Sequence, residues 1–504
     1  MGIRTGDEFL RGLRDGRVFY MDGQRVDDVT RDPRLAAAAR TVAELMDMQH
    51  AADLKPKMTY ASPTSGDTVG LSFIEPRTPE DLRRRRESLK LWADATHGMF
   101  GRSPDFMNVM VTGIASARTA FDREQRAYGD NLWKYYEWCR EKDIVMTHVL
   151  VNPQVDRSKP VNMQDKDLAA KVVKEDDRGI TISGARMVAT LAAFSDEIIV
   201  MPSSYIHTGA DALDYAFGCA LPSNAPGMSY IARPSVLPHR TGSFLDYPLS
   251  YRLDESDAVV VFDNVFVPWE RVFIYRDPAM CNQLYARTQA GGHTATQSAV
   301  RALAKAEFMT ALALSVAKST AITEHLHVQG MLAEMMLFVE NIKALIVASE
   351  AQAKTSAWGT LVPDGMPLWV NRMNFPKMFI RCCEILQLLG AGGLVAVPSN
   401  AELKGEAGEM VKKYLQSANS DAEHRVKLFR LALDASMSTF SGRQQLYERY
   451  YTGDPVRLYG MFYNLYPKEP MLKRIDDVLA DLTRRADEFD APFAETRVPE
   501  ETPV

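Results

Sequence analysis

Three short stretches in the first two hundred residues set cationic and polar side chains beside glycine or proline turns: His97-Gly98-Met99-Phe100-Gly101-Arg102-Ser103-Pro104-Asp105, Thr147-His148-Val149-Leu150-Val151-Asn152-Pro153-Gln154-Val155-Asp156-Arg157, and Ser183-Gly184-Ala185-Arg186-Met187-Val188-Ala189-Thr190. Polar groups at turns between core-like runs read as a site. Arg102 offers a permanent cation, and His148 a donor whose charge can change near neutral pH. Arg157 is suited to a phosphate, and Thr190 to a ring nitrogen or carbonyl.

Several familiar chemistries are missing. A dinucleotide-binding fold would show Gly-x-Gly-x-x-Gly between a strand and a helix. The glycine cluster here, Gly390-Ala391-Gly392-Gly393, instead follows the helix-like Ile385 to Leu389 and reads as a helix C-cap with close backbone approach. Glu324-His325-Leu326-His327 lacks the spacing that puts two ligands on one helical face, so no metal is expected. Five cysteines, Cys139, Cys219, Cys281, Cys382 and Cys383, are odd in number and scattered, as reduced thiols are. A net charge of -6 over 504 residues gives no reason to expect nucleic acid. With no window near eighteen uninterrupted apolar residues and no apolar signal core between Met1 and Arg17, no membrane is expected, and the cytoplasm is the default compartment. The run Arg83 to Arg86, after Glu80 and Asp81, reads as a solvated helix face.

The elements that must position these residues fall into three blocks: an N-terminal helical domain over 1–143, a middle β-domain over 144–285, and a C-terminal helical bundle with an oligomerisation tail over 286–504. In the first, Thr78-Pro79-Glu80 reads as an N-cap and first turn opening a helix through Asp94, and Asp122 to Arg140 reads as another. The middle block alternates short β-rich runs (Ile144–Val151, Ile180–Ser183, Glu197–Met201, Ser229–Ala232, Ala258–Phe262, Val272–Tyr275) with turn clusters, as in a barrel or sandwich. In the third, Ser298–Ile322, Val328–Thr355 and Glu409–Phe440 predict long helices packed side by side, with a break at Ser356–Pro367.

Together these stretches resemble the large oxygenase component of the two-component, reduced-flavin-dependent phenol monooxygenases, the 4-hydroxyphenylacetate 3-monooxygenase family. The likeness runs on through Val261 to Val272, where Phe266 and Trp269 read as core or interface, and through Phe440-Ser441-Gly442-Arg443-Gln444. It implies an α+β, acyl-CoA dehydrogenase-like fold and an enzyme that hydroxylates an electron-rich ring through an FAD C4a-hydroperoxide. Molecular oxygen is then the co-substrate, and a separate NAD(P)H-dependent flavin reductase supplies FADH2. A homotetramer or homodimer is implied as well.

The resemblance assigns roles position by position. Arg102 and His148 would face a small aromatic substrate and the flavin's reactive edge, and His293 would be either a base that ionises the phenol or a satisfied histidine at a helix start. His148, Val149, Leu150, Gln154, Val155, Asp156, Arg157, Thr190, Ser441, Gly442, Arg443 and Gln444 would hold FAD; Ser203 and Ser204 are weaker substrate-side candidates. Where the hydroxyphenylacetate hydroxylases have a tyrosine four residues after the arginine, this chain has Phe106, which keeps the ring and loses its polar handle. Alternatives on the same fold are an acyl-CoA dehydrogenase and a 4-hydroxybutyryl-CoA dehydratase. The dehydratase needs cluster-binding thiolates, whereas Met99 and Ser103 stand near Arg102 and no cysteine lies near His293. A non-catalytic helical binding protein is the remaining alternative.

Overall fold

The computed structural model describes residues 2–123, 126–153, 155–164, 168–201, 206, 208–237 and 243–494. Contacts divide the chain into two units, 1–451 and 452–504. The first opens with α1 (Gly6–Gly12), the hairpin β1 (Val18–Met21) and β2 (Gln24–Val26), α2 (Ala36–Met48), α3 (Lys55–Met58), the hairpin β3 (Thr59–Ala61) and β4 (Thr68–Gly70), α4 (Pro79–Ala95), α5 (Pro104–Ala115) and α6 (Tyr128–Lys142). The β-rich middle follows, with β5 (Met146–Val149), β6 (Lys171–Glu175), β7 (Gly179–Ala189), β8 (Glu197–Val200), β9 (Phe217–Pro222), β10 (Met228–Ala232), α7 (Pro248–Leu253), β11 (Ala258–Pro268) and β12 (Val272–Tyr275). The helical remainder is α8 (Pro278–Thr288), α9 (Ala290–Ser319), α10 (Leu326–Ala351), the small hairpin β13 (Lys354–Thr355) and β14 (Leu361–Val362), α11 (Gly365–Val395), α12 (Gly408–Tyr414), α13 (Ala422–Ser436) and α14 (Thr439–Tyr450).

Two sheets carry the middle region, one ordered β2-β1-β10-β11-β7-β6 and the other β12-β9-β8-β5. In the smaller sheet every residue of β5 and β8 is buried, the polar Thr147, His148 and Glu197 included, so both faces of these strands are covered. Its edge strand β5 pairs parallel to β8, with His148 opposite Ile199. Beyond β5 the chain meets the larger sheet, where Met187 N–H donates to Val151 O at 2.6 Å. The chain that follows β5 therefore leaves from the seam between the two sheets.

The N-terminal block is not purely helical: β1 pairs parallel to β10 and extends the larger sheet. Its hairpin turns on Asp22-Gly23, both at positive φ (51° and 77°), the conformation a two-residue hairpin demands. Strands β6 and β9 also go beyond the predicted runs. The helix expected over Glu409–Phe440 is three helices, because Asp421 and Ser438 cap new N-termini by accepting from His424 N–H and Ser441 N–H. The glycine cluster lies inside α11 at a kink, where Ala391 takes the non-helical angles (φ 43°, ψ -137°).

The helix over Pro79–Ala95 starts as expected, with a capping box between Thr78 and Asp81. Its buried face carries Leu82, Arg85, Leu89 and Trp92 at helical spacing, so Arg85 belongs to the core and not to a solvated face. Arg86 is also committed, pairing with Glu350 at 2.8 Å. Trp269 is half-buried, its indole N–H donating to Asp176 O, whereas Phe266 is 43% exposed and is not core. By length and composition α11 is apolar enough to cross a membrane, but Leu368, Phe375, Phe379, Cys382, Ile385 and Leu386 are buried where it packs with α9, α10 and α13. The second unit includes α15 (Pro455–Leu465) and α16 (Glu469–Ala494), which expose Tyr463, Ile475 and Leu482 among other apolar side chains.

Candidate active site

Arg102 sits just before α5, where Pro104 takes the first helical position. Its backbone N–H donates to Glu255 Oε1 at 2.5 Å and its Nη2 to Tyr451 O at 3.0 Å. The guanidinium lies 4.0 Å over the Phe106 ring and 5.6 Å from each of Tyr447 and Tyr451. Two glycines make this approach possible. At Gly98 (φ +63°) a Cβ would fall 2.4 Å from Arg301 O, and at Gly101 one would fall 2.4 Å from the Tyr447 ring.

His148 arrives from the edge strand β5 and meets Phe106 edge-on, the ring centroids 5.9 Å apart. Burial and then the nearby charge of Arg102 push its imidazole down to about 3, so it is neutral at physiological pH. Both residues keep a buried polar atom with no partner, Arg102 Nη1 and His148 Nδ1. Unsatisfied buried groups are expensive in a finished core, and two around one aromatic ring are what a ligand site looks like before it is filled.

Behind Arg102 stands an ion network. Glu255 Oε2 accepts from Arg443 Nη1 at 2.6 Å. Arg443 donates its other nitrogens to Asp257 at 2.7 and 3.0 Å. Asp257 also accepts from Thr190 Oγ1 at 2.8 Å and Arg233 Nε at 2.9 Å. Although burial opposes it, Arg443 and Arg233 hold the Asp257 carboxyl well below the usual carboxylate range. Below this network α9 presents His293, Gln297, Arg301 and Lys305, four residues apart on one buried stripe. Arg301 and Lys305 share Glu448, and Lys305 Nζ also donates to Gln444 Oε1 at 2.8 Å.

Where α5 packs on α9, Gln297 Nε2 donates to Asp105 Oδ2 at 3.1 Å, leaving Asp105 Oδ1 and Gln297 Oε1 without partners. Burial lifts the Asp105 carboxyl to about 6 against the hydrogen bonds it accepts. One turn back along α9, His293 is 2% exposed and its Nδ1 stands 2.9 Å from Arg85 Nη2.

The expected cofactor positions separate by environment. Val149 is buried, and Leu150 O accepts from the buried Arg186 at 3.4 Å. Val155 and Arg157 are exposed, while Asp156 accepts from Ser158 and pairs with Lys159 at 3.0 Å. Ser441 and Gln444 are buried, and with Arg443 they spend their polar groups on protein partners, so they form the layer behind the site; a Cβ at Gly442 would meet open space. Gln154, Ser203 and Ser204 lie outside the described residues. Sequence reasoning missed Arg85, Asp105, Glu255 and Asp257. Of these, Arg85 had a signal in its place on the apolar spacing of Leu82, Leu89 and Trp92, and Asp105 in closing the stretch that carries Arg102.

Comparison with known proteins bears on this geometry. The family descriptions "4-hydroxyphenylacetate 3-hydroxylase N terminal" and "4-hydroxyphenylacetate 3-hydroxylase C terminal" match residues 5–274 and 281–480. The 4-hydroxyphenylacetate 3-monooxygenase oxygenase component of Thermus thermophilus is 39% identical over 97% of this chain and 100% of its own length. A monooxygenase of Streptomyces globisporus, named for a carrier-protein-bound 3-amino-3-(3-chloro-4-hydroxyphenyl)propanoyl group, is 33% identical over 89% of this chain and 85% of its own. Among solved structures, an oxygenase component of 4-hydroxyphenylacetate 3-monooxygenase complexed with FAD and 4-hydroxyphenylacetate superposes with a TM-score of 0.90 at 39% identity, covering 95% of this chain and 99% of that one. A 4-hydroxybutyryl-CoA dehydratase of N. maritimus shares the fold, with a TM-score of 0.84 at 21% identity over 95% of both chains.

Proposed function

Because the chain belongs to the 4-hydroxyphenylacetate 3-hydroxylase family and has the acyl-CoA dehydrogenase-like fold, we propose that it is the oxygenase component of a two-component aromatic monooxygenase. FAD is its cofactor, used as FADH2 supplied by a separate NAD(P)H-dependent reductase. The observation that carries the reading is the pair of buried, unpartnered nitrogens, Arg102 Nη1 and His148 Nδ1, on either side of Phe106. When bound, reduced FAD supplies the reaction with molecular oxygen that delivers one oxygen atom to an electron-rich ring.

The chain's own groups bind, orient and exclude water. His148 to Leu150 and Arg157 would hold the flavin, with Thr190 and Ser441 to Gln444 in the layer behind them. Arg102 holds the phenolic oxygen as an anion, since its charge is permanent and its backbone is pinned by Glu255. His148 stays uncharged beside it and so leaves the oxygen-transfer site without a second proton to lose. The substrate ring packs on Phe106, with His293 approaching from α9. Without a hydroxyl at 106, the preferred phenol differs from 4-hydroxyphenylacetate. The five free thiols suit a cytoplasmic enzyme. The exposed apolar side chains of the second unit support a homotetramer or homodimer.

The test is rapid mixing of protein, reduced FAD and oxygen with a panel of phenols, scoring hydroxylated product per FADH2 consumed. We expect near-stoichiometric product with the right phenol. Arg102→Ala and His148→Ala should each consume FADH2 with product lowered at least tenfold, the loss of roughly one charge-assisted hydrogen bond. No hydroxylation of any phenol by the intact protein would sink the reading.

A further inference from the structure

The described residues contain one histidine–arginine contact in which both partners are fully buried. Arg85 enters it from α4 with 1% exposure, and His293 from α9 with 2%. A guanidinium has five N–H donors, no acceptor, and does not lose its proton in proteins. A nitrogen that faces it at 2.9 Å must therefore be the acceptor, with its lone pair bare. On an uncharged imidazole the proton is then on the other nitrogen, Nε2. We propose that Arg85 is a positioning residue that fixes His293 as the neutral Nε2–H tautomer, so that His293 meets a ligand as a hydrogen-bond donor and not as the base that would ionise a phenol.

The surroundings agree from every side. Arg85 has no carboxylate within ion-pair distance among the described residues, and its Nη1 is buried without a partner, while Glu350 and Asp81 act on its charge only from farther off. The adjacent Arg86 takes up Glu350 of α10 at 2.8 Å, and Asp81 lies a turn away on α4. From α5, the carboxyl of Asp105 is engaged by Gln297 one turn along α9, and Gly113 brings bare backbone to His293, a Cβ there falling 3.1 Å from the ring's Cδ2. The β13–β14 hairpin presents Val362 and Pro363 to the neighbouring Gly292, and α8 contributes Tyr285, whose hydroxyl donates to Met110 Sδ. No group among these faces His293 as a carboxylate that would favour its cation. Burial first and Arg85 second hold the ring well below the ordinary histidine range.

In the proposed reaction this division of labour leaves Arg102 to hold the phenolate and His293 to donate to an oxygen. The donor's target rests on the proposed function; the tautomer does not. The test therefore begins with flavin-free protein carrying 15N-labelled histidine, the His293 signals being assigned as those lost in His293→Gln. Between pH 5 and 8 we expect His293 to stay in one neutral tautomer, protonated on Nε2. In Arg85→Met, which removes the cation and frees Nδ1, burial keeps the ring uncharged but nothing fixes its proton, so the two ring-nitrogen signals should move from the single Nε2–H pattern towards a mixture of the two neutral forms. Arg85→Lys restores a cationic donor and should restore the single Nε2–H form. In the complete reaction, product per FADH2 should fall in Arg85→Met and recover in Arg85→Lys. A wild-type ring protonated on Nδ1, an ordinary histidine titration in the wild type, or an unchanged single tautomer in Arg85→Met would overturn the proposal. The expected spectra in a protein that hydroxylates no phenol would keep the tautomer and remove the proposed function.

Discussion

Glu448→Gln should damage this protein far more than a one-atom change suggests. Glu448 is fully buried and receives Arg301 through two hydrogen bonds, at 2.7 and 2.9 Å, and Lys305 Nζ at 2.5 Å; neither cation is more than 1% exposed. Burial pushes the carboxyl up, but the two cations overcome it and hold it at about 2 instead of 4.5. At about 1.4 kcal/mol per pH unit, that lowering is worth roughly 3 kcal/mol, present above the unfolded value and lost as pH falls through about 2. The amide removes it and strands two buried cations, so the expected loss is about 3–5 kcal/mol near pH 6. Arg301 has no way to discharge, but Lys305 does. Burial and the charge of Arg301 already push its ammonium down to about 8, and losing Glu448 pushes it lower still. A cation depressed in the folded state contributes stability above its unfolded pKa and loses it as pH falls through the folded one. The variant should therefore regain part of its stability between pH 6 and pH 9. Lys305→Met is the control, leaving Arg301 and Glu448 one to one, with an expected change within about 1.5 kcal/mol or a gain. Urea unfolding of flavin-free protein, followed by tryptophan fluorescence at both pH values, reads all three. The reasoning fails if Glu448→Gln lies within about 1 kcal/mol of the wild type at pH 6, or if Lys305→Met is equally damaging.

Asp257 serves Arg443, Arg233 and Thr190 at once, so Asp257→Asn should cost about 3–5 kcal/mol and loosen the Arg102 loop through Glu255; equal urea midpoints for variant and wild type would contradict this. Phe106→Tyr adds a hydroxyl beneath the Arg102 guanidinium, and one neutral hydrogen bond of about 0.5–1.5 kcal/mol predicts a twofold to tenfold change in preference among para-substituted phenols. Competition between paired phenols measures it, and an unchanged ranking would remove residue 106 from the ring's surroundings.

Arg102, Phe106 and His148 were singled out by the family resemblance of the stretches that carry them, and the structure brings the three side chains together. The larger fold was legible where local signals act alone, as in the Thr78 cap of α4 or the Ile198 to Val200 run of β8. The Asp22-Gly23 hairpin was missed although its turn residues are local, because what makes it part of the middle sheet is pairing with β10, some two hundred residues away. Burial of charge is likewise decided at long range: nothing near Glu255 or Glu448 distinguishes it from a surface carboxylate until Arg443 or Arg301 arrives.

That long-range pairing also sorts the buried arginines into two kinds. Arg301 and Arg443 each have a carboxylate and belong to the scaffold. Arg85, Arg102 and Arg186 have none within ion-pair distance among the described residues; they lean on an imidazole or on carbonyls, and each keeps one buried nitrogen without a partner. Burying a cation without an anion costs several kcal/mol, and a stable core has no reason to do so three times. Arg102 and Arg186 bracket the strand and turn that carry His148, and Arg85 stands behind His293. A negatively charged ligand beside Arg102 would meet the nitrogen that the protein leaves without a partner, which is what the proposed function asks of Arg102.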